Sequence, residues 1–281
     1  MEENKLEQLI FPERAHELLS WIKRGKDVTV RDDQYDFPWL IDIVKACRKR
    51  RCRFRLIDSG KLSAFELEWL GKAGADLYTS DSARPKTEEL ELINKACRRG
   101  GAFVAYFHQG MLGEEEEKGS GLETISFFDL DKMGRERIYV YLSNRKIKRS
   151  FSQLNELAYS CQQGGCWLVY YHFGPLEPSI EELARSGAWI HVSDKSVKEP
   201  QDLSLLIETL KASSSKGTRL VLHLDAEWKT HQLRDVIDAG AIVLFKSSLL
   251  DYRSPLRTLE RESRRRKLDF RAYYLYPTFL S

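Results

Sequence analysis

The chain repeats itself, and a recurring strand–helix unit constrains its fold more than any single motif does. Residues 74–81 read GADLYTSD, 187–194 read GAWIHVSD and 240–247 read GAIVLFKS, with looser copies at 25–32 (GKDVTVRD) and 137–144 (RIYVYLSN). A second strand follows one helix later, at 53–60 (RFRLIDSG), 103–110 (FVAYFHQG), 167–174 (WLVYYHFG), 218–225 (TRLVLHLD) and 270–277 (FRAYYLYP). The joins recur as KACRKRRC (45–52), KACRRGGA (95–102) and YSCQQGGC (159–166). Such a unit can bury its apolar face only against its neighbours, so the repeat fixes architecture and leaves chemistry open.

Strict alternation of strand and helix predicts parallel strands joined by right-handed crossovers. The expected fold class is α/β, a parallel β/α repeat of five βαβα units and about ten strands, TIM-barrel-like if closed or an open horseshoe if not. Strands are expected near 28–31, 54–57, 77–80, 103–107, 139–142, 167–171, 189–192, 219–224, 242–246 and 270–275. Helix starts are signed by capping boxes at Ser63/Glu66 and Ser179/Glu182, and helix ends by RRGG at 98–101 and QQGG at 162–165. One interruption stands out: between the strands near 103–107 and 139–142 an acidic, glycine-bearing loop (114–117 is EEEE) replaces the expected helix, with 124–128 as an extra strand or inward-tucked segment. The reading is a single domain over 1–281, with 111–136 as its internal boundary, two units before it (1–110) and three after (137–281).

Composition excludes several classes. With 42% apolar residues the chain of 281 is globular, and 45 basic against 42 acidic residues leaves a net charge of +3, too little excess to argue for nucleic acid. The dense basic runs at 48–53 and 261–267 fall at helix ends, where dipole and solvation account for them. No apolar run is long enough to span a bilayer, and no secretion signal opens the sequence. Five cysteines then read as reduced thiols in a cytoplasm, and Cys47/Cys52 and Cys161/Cys166 as small apolar residues at helix–strand joints rather than zinc ligands.

Sites in parallel β/α proteins gather where strands end and loops enter helices. First strands end in Asp32, Asp81, Asn144, Asp194 and Ser247, second strands in Asp58, His108, His172, Asp225 and Leu275. Two readings follow. In the first, the strand-end carboxylates cap loop backbone, and the chain is a non-catalytic scaffold without cofactor. It then docks a protein partner or assembles with itself through its rim or an aromatic-bearing face: Tyr106, His108, Tyr170, Tyr171, His172, Tyr273 and Tyr276. In the alternative, Asp58, His108, His172 and Asp225 converge, joined by Asp32, Asp81 and Asp194, to hold a divalent metal for a hydrolase or lyase.

Overall fold

The computed structural model describes residues 15–110, 125–145, 150–197, 200–224, 228–246, 255–266 and 270–273. The chain forms two compact units, Met1–Tyr141 with Gln163–Cys166, and Leu142–Gln162 with Trp167–Ser281.

The first unit runs α1 (Ala15–Lys23), β1 (Val28–Arg31), α2 (Phe37–Arg50), β2 (Phe54–Ile57), α3 (Ala64–Ala73), β3 (Ala75–Ser80), α4 (Thr87–Gly100), β4 (Val104–Phe107), α5 (Phe127–Arg135) and the start of β5 (Tyr139–Ser143). Each of its strands pairs in parallel with the next, in registers such as Val28↔Phe54↔Ala75 and Leu56↔Leu77↔Val104. The second unit holds the end of β5, most of α6 (Phe151–Gly164), β6 (Leu168–His172), α7 (Pro178–Arg185), β7 (Trp189–Ser193), a 3-10 turn (Asp194–Ser196), α8 (Pro200–Ser215), β8 (Leu220–Leu224), α9 (Thr230–Asp238), β9 (Ile242–Lys246), α10 (Pro255–Arg266) and β10 (Phe270–Tyr273). From β6 to β10 the pairing is again parallel and sequential.

Sequential order has a consequence for the faces of each unit. When every crossover steps the same way with the same hand, all helices fall on one side of the strands. Burial agrees: in β1 and β2 alternate residues are buried (Val28, Val30, Phe54, Leu56) while Thr29, Arg31, Arg55 and Ile57 are partly exposed. Against that covered face lie Leu40, Ile43, Leu67, Leu70, Leu90 and Ile93 in the first unit. In the second, Ile180, Leu183, Leu206 and Leu233 cover Leu168, Ile190, Val192, Leu220 and Leu222. Each such side chain contributes about 1.5–3 kcal/mol by leaving water. On this topology the described helices leave the other face of each unit to the strands, a face that is buried too in β4, β6 and β8, and the histidine pair described below lies there.

The recurring GG at helix ends has two separate causes. A Cβ on Gly100 would stand 2.1 Å from the Gly71 carbonyl oxygen, and one on Gly164 would stand 2.1 Å from that of Gly134, so the first glycine lets neighbouring helix ends touch. The second, Gly101, is the left-handed C-cap, with φ 76°. At the matching end of α2 stands Arg51, also left-handed at φ 58°. The thiols at these joints are buried as expected; Cys52 donates to the Cys47 carbonyl, Cys166 to those of Gly134 and Ile138. Burial pushes the Cys47 and Cys97 thiols far up, so they stay protonated and unreactive.

Two local expectations are corrected. Between β4 and β5 the helix is not lost: α5 begins at Phe127, with Ser126 and Asp129 forming a reciprocal capping box, and just before it Ile125 is coil tucked inward, 5% exposed. The Ser63/Glu66 box forms, whereas Ser179 does not cap α7. There Pro178 occupies the first turn and moves the N-cap to Glu177, which leaves Ser179 inside the helix.

Candidate functional site

The strand-end carboxylates follow one rule. The residue after an odd strand accepts hydrogen bonds from the loop after the next strand. Asp32, past β1, accepts from the backbone N–H groups of Ser59, Lys61 and Leu62 and from the Ser59 hydroxyl. Asp81, past β3, accepts from the N–H groups of Gln109 and Gly110. Asn144, past β5, accepts from the Phe173 N–H at 2.9 Å. In each case a fixed acceptor organises a loop whose backbone donors would otherwise be unpaired. Asp194, past β7, is buried and takes the Ser193 hydroxyl at 2.9 Å.

Asp58 is saturated. Its carboxylate accepts from Arg84 Nε at 2.8 Å and Nη2 at 3.0 Å, from the Thr79 hydroxyl at 2.7 Å and from the Gly60 N–H at 3.0 Å. Two carboxylate oxygens offer about four lone-pair sites, so none is left for a metal or a substrate proton. Arg84 also donates to the Leu62 carbonyl, which ties the loops after β2 and β3 together.

The strand-end histidines are engaged as well. His108 Nδ1 lies 3.3 Å from the Tyr106 hydroxyl and 3.6 Å from Asp81 Oδ2. Burial, then the charges of Asp81 and Asp129, hold Tyr106 well above the usual phenol range, so its hydroxyl stays neutral. His172 Nε2 is 2.7 Å from the Pro175 carbonyl and must donate to it, which leaves Nδ1 as acceptor facing Asn144 Nδ2 at 3.4 Å. Desolvation lowers the His172 pKa.

These facts bear on the four residues expected to converge. Asp58 and His172 have their metal-ligating atoms occupied by protein groups, and Asp225 lies outside the described residues. Among the described residues no group of three or more His, Cys, Asp or Glu side chains could hold a metal ion. Asp58 therefore has no lone pair left for a divalent cation, and His172 Nε2 has none.

A different pair is brought together on the helix-free face of the second unit. His191 Nδ1 stands 2.9 Å from His223 Nε2, joining β7 to β8. The Tyr171 ring of β6 stacks on His191 with centroids 4.3 Å apart and lies 6.2 Å from His223. Position along the strand explains the meeting: Tyr171 and His191 are register partners, and His223 sits opposite Ser193, one step along the same face. Burial first, and then the neighbouring His223, push the His191 pKa well below the usual imidazole range. One ring must donate and the other accept, so a second proton would place two cations side by side. His191 is partly exposed while His223 is 2% exposed, an outer and an inner member of one relay. Two residues before His191, the Trp189 indole N–H is buried without a hydrogen-bond partner among the described residues. The alternation of Trp189 and His191 against Ile190 and Val192 signals this face in the sequence, but a pairing with His223, thirty-two positions on, has no local signal.

The docking residues proposed from sequence are placed differently. Tyr106, His108, Tyr170, Tyr171 and His172 are between 0% and 4% exposed. Tyr106 and Tyr170 share the helix-covered side with Val104 and Leu168, and Tyr171 lies under His191. Tyr273 falls in β10, and Tyr276 lies outside the described residues.

No family model matches the chain, and no curated protein matches it. Solved structures similar to it include an HpcH/HpaI aldolase from Desulfitobacterium hafniense, at 10% identity over 95% of each chain with a TM-score of 0.34. A 3-dehydroquinate dehydratase from Aquifex aeolicus is 12% identical, with 85% of this chain and 97% of that chain covered and a TM-score of 0.36. A citrate synthase variant, SbnG, is 11% identical over 91% of this chain and 92% of that chain, with a TM-score of 0.32. At these scores the likeness carries no argument about substrate or residues. The reading of the chain as a non-catalytic scaffold with this docking face is corrected: Tyr106, His108, Tyr170, Tyr171 and His172, assigned to that face, are buried and offer a partner no anchor. Among the described residues no helix is long and apolar enough to cross a membrane.

Proposed function

We propose that the protein is an enzyme of the lyase or hydrolase kind whose proton transfers run through His191 and His223 on the helix-free face of β7 and β8. The observation that carries this reading is the 2.9 Å contact between two imidazoles. Its lowered pKa keeps His191 neutral near pH 7, as a general base must be. His191, partly exposed, would meet the substrate, while His223 behind it fixes the tautomer and takes up the proton's charge. The buried Trp189 N–H supports the same reading as a donor in need of an acceptor, such as a substrate carbonyl. Such a set suits removal of a proton beside a carbonyl, or activation of water against an ester. Five buried cysteines, none of them in a disulfide, suit a reducing, cytoplasmic setting.

The test uses a panel of small 2-oxo acids in D2O, with exchange at the carbon beside the carbonyl followed by proton NMR, and a panel of nitrophenyl esters. Exchange or hydrolysis that falls at least a hundredfold in both His191→Gln and His223→Gln supports the reading. Turnover retained in both variants, or absent with every compound, overturns it.

A further inference from the structure

At the opposite, N-terminal end of β2 to β4 the first unit contains a cavity of about 290 Å³, bordered by Arg48, Arg51 and Arg53, by Asp76 and Phe103, and by the glycines at the ends of α3 and α4. Three guanidinium groups face one carboxylate. The setting would otherwise repel an anion, because the C-terminal ends of α2, α3 and α4 meet there. Those ends are largely neutralised: the N–H groups of Arg51, Gly74 and Gly101 close the last turns, and Arg48 Nη1 donates to the Ala73 carbonyl at 3.3 Å.

Two of the arginines are not explained by the fold. Arg51 occupies a left-handed C-cap where the equivalent joints use Gly101 and Gly165, so a bulky side chain is kept at a position that favours none. Its guanidinium makes no hydrogen bond or ion pair among the described residues. Arg53 borders the cavity, approaches Asp76 only to 3.7 Å and is 64% exposed, so donors remain for a ligand. Meanwhile Gly74, Gly100 and Gly101 withhold side chains from the walls.

We propose that this cavity binds a small oxyanion carrying two or more negative charges. Arg51 and Arg53 would grip its oxygens in charge-assisted pairs, and Arg48 would screen the helix ends. A cavity of about 290 Å³ has room for a small polyanion such as a diphosphate or a tricarboxylate. The site lies away from the strand C-terminal ends and does not depend on the histidine chemistry.

Calorimetric titration of the full chain at low ionic strength, with inorganic pyrophosphate and separately with citrate, tests it. The expected result is one-to-one binding of at least one probe, weakened at least tenfold by Arg51→Gly and by Arg53→Ala. Glycine suits the backbone at 51, so that variant folds, and circular dichroism checks both. Pyrophosphate alone identifies a phosphate-type ligand, citrate alone a carboxylate type, and either supports the site. Arg185→Ala, which removes an exposed arginine of the second unit, should change nothing. No binding of either probe, affinities unchanged in the two cavity variants, or an equal loss in Arg185→Ala would overturn the proposal.

Discussion

Two buried polar pairs, one in each unit, show how the same sheet geometry can make either a lock or a titratable relay. In the first unit Asp58 and Arg84 meet on the helix-covered side, with every carboxylate lone pair taken. Their charges are opposite, and the guanidinium holds both carboxylate oxygens. In the second unit His191 and His223 meet on the helix-free side at 2.9 Å, and one proton more or less is all that separates their states. The lock resists change because desolvation has been offset by four hydrogen bonds and an ion pair. The relay stays responsive because its members are alike and desolvation works against their charged form. The same sheet thus holds a saturated ion pair at one place and a pair of like rings at another.

The lock should break hardest. Arg84→Met strands the Asp58 carboxylate, whose side chain is 0% exposed, and should cost about 3–5 kcal/mol in urea unfolding. Adding Asp58→Asn to it removes the stranded charge and should recover a large part of that loss. If Arg84→Met costs less than about 1 kcal/mol, the pair is not the fixed element described here. Next in size is the loop cap. Asp32→Ala leaves three backbone donors and the Ser59 hydroxyl without their acceptor and should cost about 1–3 kcal/mol. Asn144→Ala, at the equivalent position but partly exposed and holding a shorter loop contact, should cost less, about 1 kcal/mol. Equal losses in the two would remove the contrast between a fully buried cap and a partly exposed one.

The sequence carries much of this architecture and little of the chemistry, for identifiable reasons. Strand and helix positions follow from local pattern, so β1 and β2 fall where the alternation places them and β9 where the apolar run Ile242–Phe245 does. The capping role of Asp32, Asp81 and Asn144 is legible because the repeat copies a turn, and copied turn chemistry points to structure. Asp58 and His172 mislead for the opposite reason. Equivalent positions suggest one ring of ligands, yet each partner that occupies them, Arg84 or the Pro175 carbonyl, comes from a loop with no signature. Tyr106 and Tyr170 look like surface anchors because strand aromatics favour wet faces and buried ones alike. Their parity with Val104 and Leu168 assigns them to the covered side, and that assignment needs the sheet. His191 and His223 escape notice since neither ends its strand; only the register of β7 on β8 brings them together.

A pH-dependent effect sharpens the comparison most, because the lowered pKa of His191 ties its contribution to pH. His191 has an ordinary value of 6.5 and a folded value well below it, with burial the larger cause and His223 the smaller. Between those values the unfolded chain binds the proton and the folded chain does not. The neutral ring's contribution to stability is therefore complete above pH 6.5 and is lost progressively as pH falls through the folded value. One such group gives a slope of about 1.4 kcal/mol per pH unit across that window. His172, also lowered by burial, adds to the slope in the same direction. Urea unfolding of the wild type and of His191→Gln at pH 7.5, 6.0 and 5.0 separates the two. The variant should lose part of the dependence and keep the share that belongs to His172, while Arg84→Met, for all its larger cost, should leave the His191 component of the slope untouched. A wild-type stability flat from pH 7.5 to 5.0 would mean that His191 titrates alike in both states, and the relay would then be an ordinary exposed imidazole beside a buried one.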